Sequence, residues 1–491
     1  MSTTRNGEQG IALVFVLFLM AALSAMAVSM MFLAQTETSA SRNYRTMSQA
    51  RYGGEAGIHK AINYMLNSYP APTSTAGYVT TVSPVTYNGN PVILSATAGV
   101  ASNYPDNAVI TAFDAAAAGT LATNTSGVTN NAALPTVNYT AYAKLISMRA
   151  VNVYGGGTGV IQTWQITAQG TVPGSIPATV EVTALLERDL VDAQTFAVFA
   201  TGTGCGAIDL QGTVATGSFD SSAGSTVSNS GGNVGTNGNL AIGGHVDVHG
   251  SLSTPRTGIG ACTTGNVTAL TQSGAATVDG NDLIQLPQAL SFADPVMPAP
   301  VPVTSSYVGC AQVTIQAPAL CSVSGGVTTI DPNGLPVVKL GNISGNFVLK
   351  GGKYMINSIG SGNLSVEPSP SGTQNVEIYL SGKTTTGTDL ANPFNLNGQA
   401  VVNTSMDPQR LQLLYAGSGT IDLTGGSNAS MLLYAPKATV QTHGNADIWG
   451  SILSRQVTSA GTPRFLYDRR LSSTFQTMGN YVMSSFSWKK Y

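Results

Sequence analysis

Apolar and polar positions divide this chain into three stretches. Ile11 to Ala34 (IALVFVLFLMAALSAMAVSMMFLA) is apolar, with only Ser24 and Ser29 as polar interruptions. About 20 apolar residues suffice to span a bilayer as a helix. Residues 35–67 contain no proline, so helical character can continue until Pro70 stops it. Ile58, Ile62, Met65 and Leu66 recur at helical spacing and predict an amphipathic stripe. One long helix over 11–69 is therefore expected. Tyr69 to about Asn130, rich in Ala, Thr, Pro and Asn with turn dipeptides such as Asn88-Gly89, reads as irregular with short strands. Tyr139–Leu145, Trp164–Ala168 and Thr179–Leu185 read as strands of an antiparallel meander, joined by Gly155-Gly156-Gly157 and Gly170–Gly174.

From Thr201 onward, short apolar alternations separated by Gly, Ser, Asn or Asp recur. Examples are Ala207–Leu210, Leu240–Ile242, His245–Val248, Phe347–Leu349, Asn363–Val366, Val376–Leu380, Thr420–Leu423 and Met431–Tyr434. Each fits a strand and is too short for a helix. Stacked rungs burying their inward aliphatics would account for them, so a β-solenoid (β-helix) is expected, with a β-sandwich as the alternative. No strict period is visible. The run ADPVMPAPVPV, with Pro295, Pro298, Pro300 and Pro302, marks an insertion or a loop crossing the solenoid. The fold class is mainly β with one long N-terminal helix.

Composition narrows the function. Only 9% of the 491 residues are charged, 21 basic against 23 acidic, for a net charge of −2. A typical soluble domain carries about 25%. No basic excess exists to neutralise phosphates, so nucleic acid is not an expected partner. The four cysteines, Cys205, Cys262, Cys310 and Cys321, suit an exported protein with up to two disulfides. Three pairings are open, the local pair Cys310–Cys321 being favoured, and buried free thiols are the alternative.

Catalytic material is scarce, and no catalytic, cofactor or metal site is expected. His245-Val246-Asp247-Val248-His249 puts two imidazoles and a carboxylate on one strand face, a metal-like set that reads more simply as a solvent-facing polar rung. His443, beside Gly444-Asn445, reads as a turn residue. Gly382-Lys383-Thr384 lacks the first glycine of a phosphate loop, because position 377 is Glu377. Asp209, Asp247, Asp422 and Asp447 lie on candidate rungs and keep a carbohydrate-cleaving solenoid as a minor alternative.

Two segments carry a resemblance. Glu8-Gln9-Gly10-Ile11-Ala12-Leu13-Val14 is similar to the leader junction of PilX-type minor pilins, and Gln49–Ile58 (QARYGGEAGI) resembles a helix segment of the same family. Residues 433–438, 448–452 and 465–468 resemble the uncharacterised β-helical domains found behind such N-termini. The resemblance implies that a prepilin peptidase cuts after Gly10 and methylates Ile11. It implies an inner-membrane anchor that later packs in a filament core, other minor and major pilins as partners, and a Gram-negative source. Pilins usually carry a glutamate at the fifth mature position, which here is Phe15. That carboxylate offsets a neighbour's N-terminal amine in an apolar core, where an unpaired charge is costly. Its absence favours a tip or initiating subunit.

The expected organisation is a leader (1–10), a membrane and filament helix (11–69), a pilin-like antiparallel region (70–190), a solenoid head (201–472) and a tail (473–491), read as a final strand or short helix. Tyr467-Asp468 would form a terminal rung or cap. The expected function is that of a non-enzymatic minor pilin whose head meets a surface or carbohydrate ligand. A signal peptide cut after Ala27, a plain signal anchor, and a membrane-anchored binding protein outside any filament are the competing readings.

Overall fold

The computed structural model describes residues 8–121, 136–174, 177–224, 226–279, 282–304, 309–316, 318–367, 375–396, 401–403, 405–425, 429–445, 447–472 and 474–490; for 8–10, 424, 425 and 488–490 it describes the backbone. Residues 1–7 of the expected leader, 122–130 of the expected irregular stretch, and the side chain of Trp488 lie outside the described residues. The chain forms two compact units, Met1–Arg149 with Gln162–Arg188 and Tyr481–Tyr491, and Ala150–Ile161 with Asp189–Asn480.

In the first unit, α1 (Glu8–Asn67) is an unbroken 60-residue helix. It leans on a sheet whose order runs from the C-terminal strand Gln476–Lys490 through Ala178–Asp192, Gly157–Val172 and Val137–Val153 to Ile93–Ser95. The three central strands form the expected antiparallel meander, longer than their apolar cores suggested. Trp164, for example, faces Leu186. The tail is a strand rather than a helix. Asn88 (φ 49°) and Gly89 (φ 78°) make the tight turn between Thr86–Tyr87 and Asn90–Pro91. The stretch read as irregular also holds a helix, α2 (Asn107–Ala117), capped by the Asp106 carboxylate, which accepts from Ala108 N at 2.8 Å. Its Val109, Phe113 and Ala117, one turn apart, are buried.

In the second unit, short strands stack in parallel, three to a turn. Val198–Ala200, Ile208–Gly212 and Ala215–Phe219 lie under Val234–Thr236, Leu240–Gly244 and Asp247–Val248. These in turn lie under Leu252–Thr254, Leu270–Gln272 and Thr277–Val278. One inner column of side chains runs the length of the stack in strict register: Val338, Tyr354, Ile378, Leu413, Leu433, Ile452, Val198, Val234, Leu252 and Leu283. All but Leu283 are essentially inaccessible to solvent, and each large aliphatic so buried contributes about 2 kcal/mol of hydrophobic stabilisation.

The column departs from the chain order. Its later half in sequence, Val338 to Ile452, precedes its earlier half in space. Ile448–Gly461 stacks on Ala429–Gly444 on one side and on Val198–Ala200 and Ile208–Gly212 on the other. Tyr467 and Asp468 are accordingly not a terminal rung: they pair with Ser218 and Phe219 in mid-stack. Turns also differ in length, with few residues between Val338 and Tyr354 and many between Val198 and Val234, which is why the sequence shows no period.

Because the first-made turns end at one end of the stack and the next at the other, the chain must travel back along the outside. It does so as the proline-rich segment. A second column, facing outward, comprises Met355, Tyr379, Leu414, Tyr434, Leu453 and Phe199. These side chains form one apolar cluster with Leu290, Phe292, Met297 and Val303 of the returning strap. Asn237 clamps the backbone of Leu290, Tyr434 Oη donates to Ala293 O at 2.6 Å, and Asn357 clamps Val303. An outward column this apolar would otherwise be an exposed hydrophobic patch.

Candidate functional site

The processing and filament residues expected from sequence lie on α1, whose N-terminal and C-terminal parts have opposite surroundings. Every described side chain from Ile11 to Arg45 is exposed, with Ile11 at 62% and Phe15 at 72%. The helix is long and apolar enough to cross a membrane. Gly10 stands within the same helix. Such a surface cannot be left in water without a cover.

From Ala50 the helix turns buried. Ala50, Ile58, Ala61, Ile62 and Met65 pack inward, whereas Leu66, expected in the same stripe, stays 36% exposed. Gly53, Gly54 and Gly57 allow the close approach. A Cβ on Gly53 would come within 2.4 Å of Val137, and on Gly54 within 2.6 Å of Val182. From the sheet side, a Cβ on Gly170 would stand 1.9 Å from Ala50 O. In the sequence, the one-face spacing of these helix glycines is the signal of the contact seam. Arg51 and Glu55 pair one turn apart at 2.8 Å on the partly exposed flank, where an ion pair adds little.

The end of α1 is fixed by an aromatic knot. Tyr69 meets Trp164 at 5.7 Å and Tyr481 at 6.1 Å between ring centroids, both edge-on. Tyr69 and Tyr104 share a hydroxyl hydrogen bond of 3.1 Å, and Tyr481 donates to Gln162 Oε1. Burial, then the neighbouring phenols Tyr481 and Tyr104, hold the Tyr69 hydroxyl well above its ordinary pKa. Strand residue Tyr481 thus binds the C-terminal segment to the helix end.

In the second unit the four cysteines form Cys205–Cys262 and Cys310–Cys321. Val246 and Val248 point into the core, which leaves His245, Asp247 and His249 on the outer face. Asp247 accepts from Thr277 Oγ1 at 2.8 Å, and His249 Nδ1 lies 3.4 Å from Asp279. Among the described residues no three His, Cys, Asp or Glu side chains gather as metal ligands. Asp447 is taken up by Arg464, Asp209 by Gln211, and Lys383 by Asp389. His443 is exposed near the strand end at Gly444.

Comparison with known proteins adds one family profile. Residues 356–474 match a domain of unknown function (DUF7305), which covers the sequence-later turns of the stack. No curated protein matches the sequence. Among solved structures, the competence-associated pilin ComZ from Thermus thermophilus is similar over 91% of this chain and 98% of its own, at 13% identity and a TM-score of 0.23. A score that low supports no conclusion about shared fold or role.

Proposed function

We infer that the chain is a minor pilin-like, non-enzymatic component of a type IV pilus or related secretion filament, with the β-stacked unit as a head that meets an external surface. One observation carries this reading: α1 buries a face of its C-terminal part, from Ala50, on an antiparallel sheet and leaves the apolar run Ile11 to Ala34 uncovered. That division suits a segment first solvated by lipid and then by like helices from other subunits, without altering the packed part. Gly10-Ile11 supplies the processing junction, prepilin peptidase and the other pilins are the partners, and the inner membrane is the location before assembly. Phe15 brings no carboxylate to a neighbour's amine, which suits a subunit at the tip.

Mass spectrometry of the mature N-terminus tests the reading. N-methylated Ile11 as the first residue, and loss of that form in a Gly10→Val variant, are the expected results. Trimming to Ile11 that persists in Gly10→Val overturns it. Absence of the chain from sheared filaments, with no cross-links to pilins, would point instead to a membrane-anchored binding protein.

A further inference from the structure

Three carboxamides in the second unit each grip a single backbone residue by both of its polar groups. Asn237 donates to Leu290 O at 2.7 Å and accepts from Leu290 N at 2.8 Å. Asn357 holds Val303 at 2.6 and 2.9 Å, and Gln316 holds Lys339 at 2.7 and 2.8 Å. Gln312, on the short helix α3 (Cys310–Thr314), offers the same pair of groups and uses neither. It is 8% exposed, and its Nε2 and Oε1 both lack a hydrogen-bond partner. Leaving a buried amide unbonded costs stability, so its presence calls for an explanation.

Gln312 lines a cavity of about 330 Å³, with Pro300, Val303, Ile315, Leu335 and Val337 as its apolar walls. Ile315, at 79% exposure, is the most exposed large apolar side chain of the described chain. We propose that this cavity binds an extended peptide, seating one aliphatic side chain while Gln312 pairs with the N–H and C=O of its backbone. Turning the Gln312 side chain toward the cavity breaks no existing hydrogen bond. The volume lies at the small end of the ~300–1,000 Å³ usual for ligand sites, which suits one residue rather than a large molecule. An N-acetyl sugar carries the same amide, and Thr304, Gln316 and Lys339 also line the cavity, but no aromatic ring is there for a sugar face to stack on, and the remaining walls are aliphatic. Beside the cavity, Leu320–Ser324 is tied to α3 by Cys310–Cys321. That strand ends its sheet and exposes Leu320 and Val323, giving an extended chain further backbone to follow. This site stands whether or not the chain enters a filament.

The full chain in detergent is titrated with N-acetyl-leucine methylamide and, in parallel, with N-acetylglucosamine, and binding is read by ligand-observed NMR. The leucine amide is expected to bind and the sugar not. Gln312→Leu should weaken the leucine amide ~10-fold, the loss of two ordinary hydrogen bonds, and Ile315→Asp should weaken it as well. Gln312→Leu should melt no lower than the parent, because it removes an amide that has no partner. Failure of the leucine amide to bind, binding unchanged in Gln312→Leu, or preference for the sugar overturns the proposal. A lowered melting temperature for Gln312→Leu overturns it too, since it would mean the amide is already bonded within the fold.

Discussion

Gly170 has no room for a methyl group, and what forbids one is backbone on the opposite wall. Replacing it with alanine would push a carbon to 1.9 Å from Ala50 O, so helix or sheet must move. Gly170→Ala should cost about 2 kcal/mol or more, whereas Gly204→Ala, with nothing within 4 Å of its new carbon, should leave the melting temperature unchanged. Thermal unfolding of the two variants checks the contrast. This requirement was not legible in the sequence, because it arises where two segments far apart in the chain meet. The buried phenols make a second prediction at this scale. Burial raises the Tyr69 and Tyr434 hydroxyls, and burial followed by Asp331 raises Tyr354, above the ordinary value of 10.0. Their stabilising contribution is complete below that value, where folded and unfolded phenols are alike protonated. Above it the unfolded chain sheds protons that the folded chain keeps, so stability falls as pH rises. The urea midpoint should drop between pH 9 and about pH 11 and be flat from pH 7 to 9.

Elements were legible where one pattern governed them. The apolar run gave α1, and alternation gave the meander and most rungs. Helix α2 escaped because Ala- and Asn-rich surroundings hid three apolar positions one turn apart behind an Asp cap. The strap was legible as a proline-rich break, but its apolar contacts face a column that exists only after stacking. Its attachment can be measured. Tyr434→Phe removes the hydrogen bond to Ala293 O and should cost about 1 kcal/mol. The disulfides differ in the chain they enclose, with sequence separations of 57 for Cys205–Cys262 and 11 for Cys310–Cys321. On loop-closure grounds, removing the first by double serine substitution should cost about 4 kcal/mol and the second about 3 kcal/mol. Denaturant titration of both variants tests the order. For α1, the tip-subunit reading proposed above predicts that Phe15→Glu shifts incorporation toward the filament shaft, counted by immunogold labelling of filaments.

At the scale of the molecule, the sequence told which residues form rungs and could not tell which rung lies on which. Register depends on side chains meeting across turns of unequal length, and short apolar alternations are interchangeable until they stack. The observed order predicts a pattern of hydrogen exchange. Amides of Ile208–Gly212 and of Ile448–Gly461, each flanked on both sides, should exchange slowest. Those of Thr277–Val278 and Leu283–Gln285, where the stack ends, should exchange first.

The same order sets a timetable for folding. The stack segment made first, 198–219, needs as its neighbour the stack segment made last, 448–468, and Gln456 bonds to Gly206 across 250 residues of sequence. A growing chain therefore holds two half-stacks with raw ends until 448–468 emerges. A nonsense mutation between 415 and 448 would not yield a shorter stack but two unmatched surfaces, ready to pair with those of another unfinished copy.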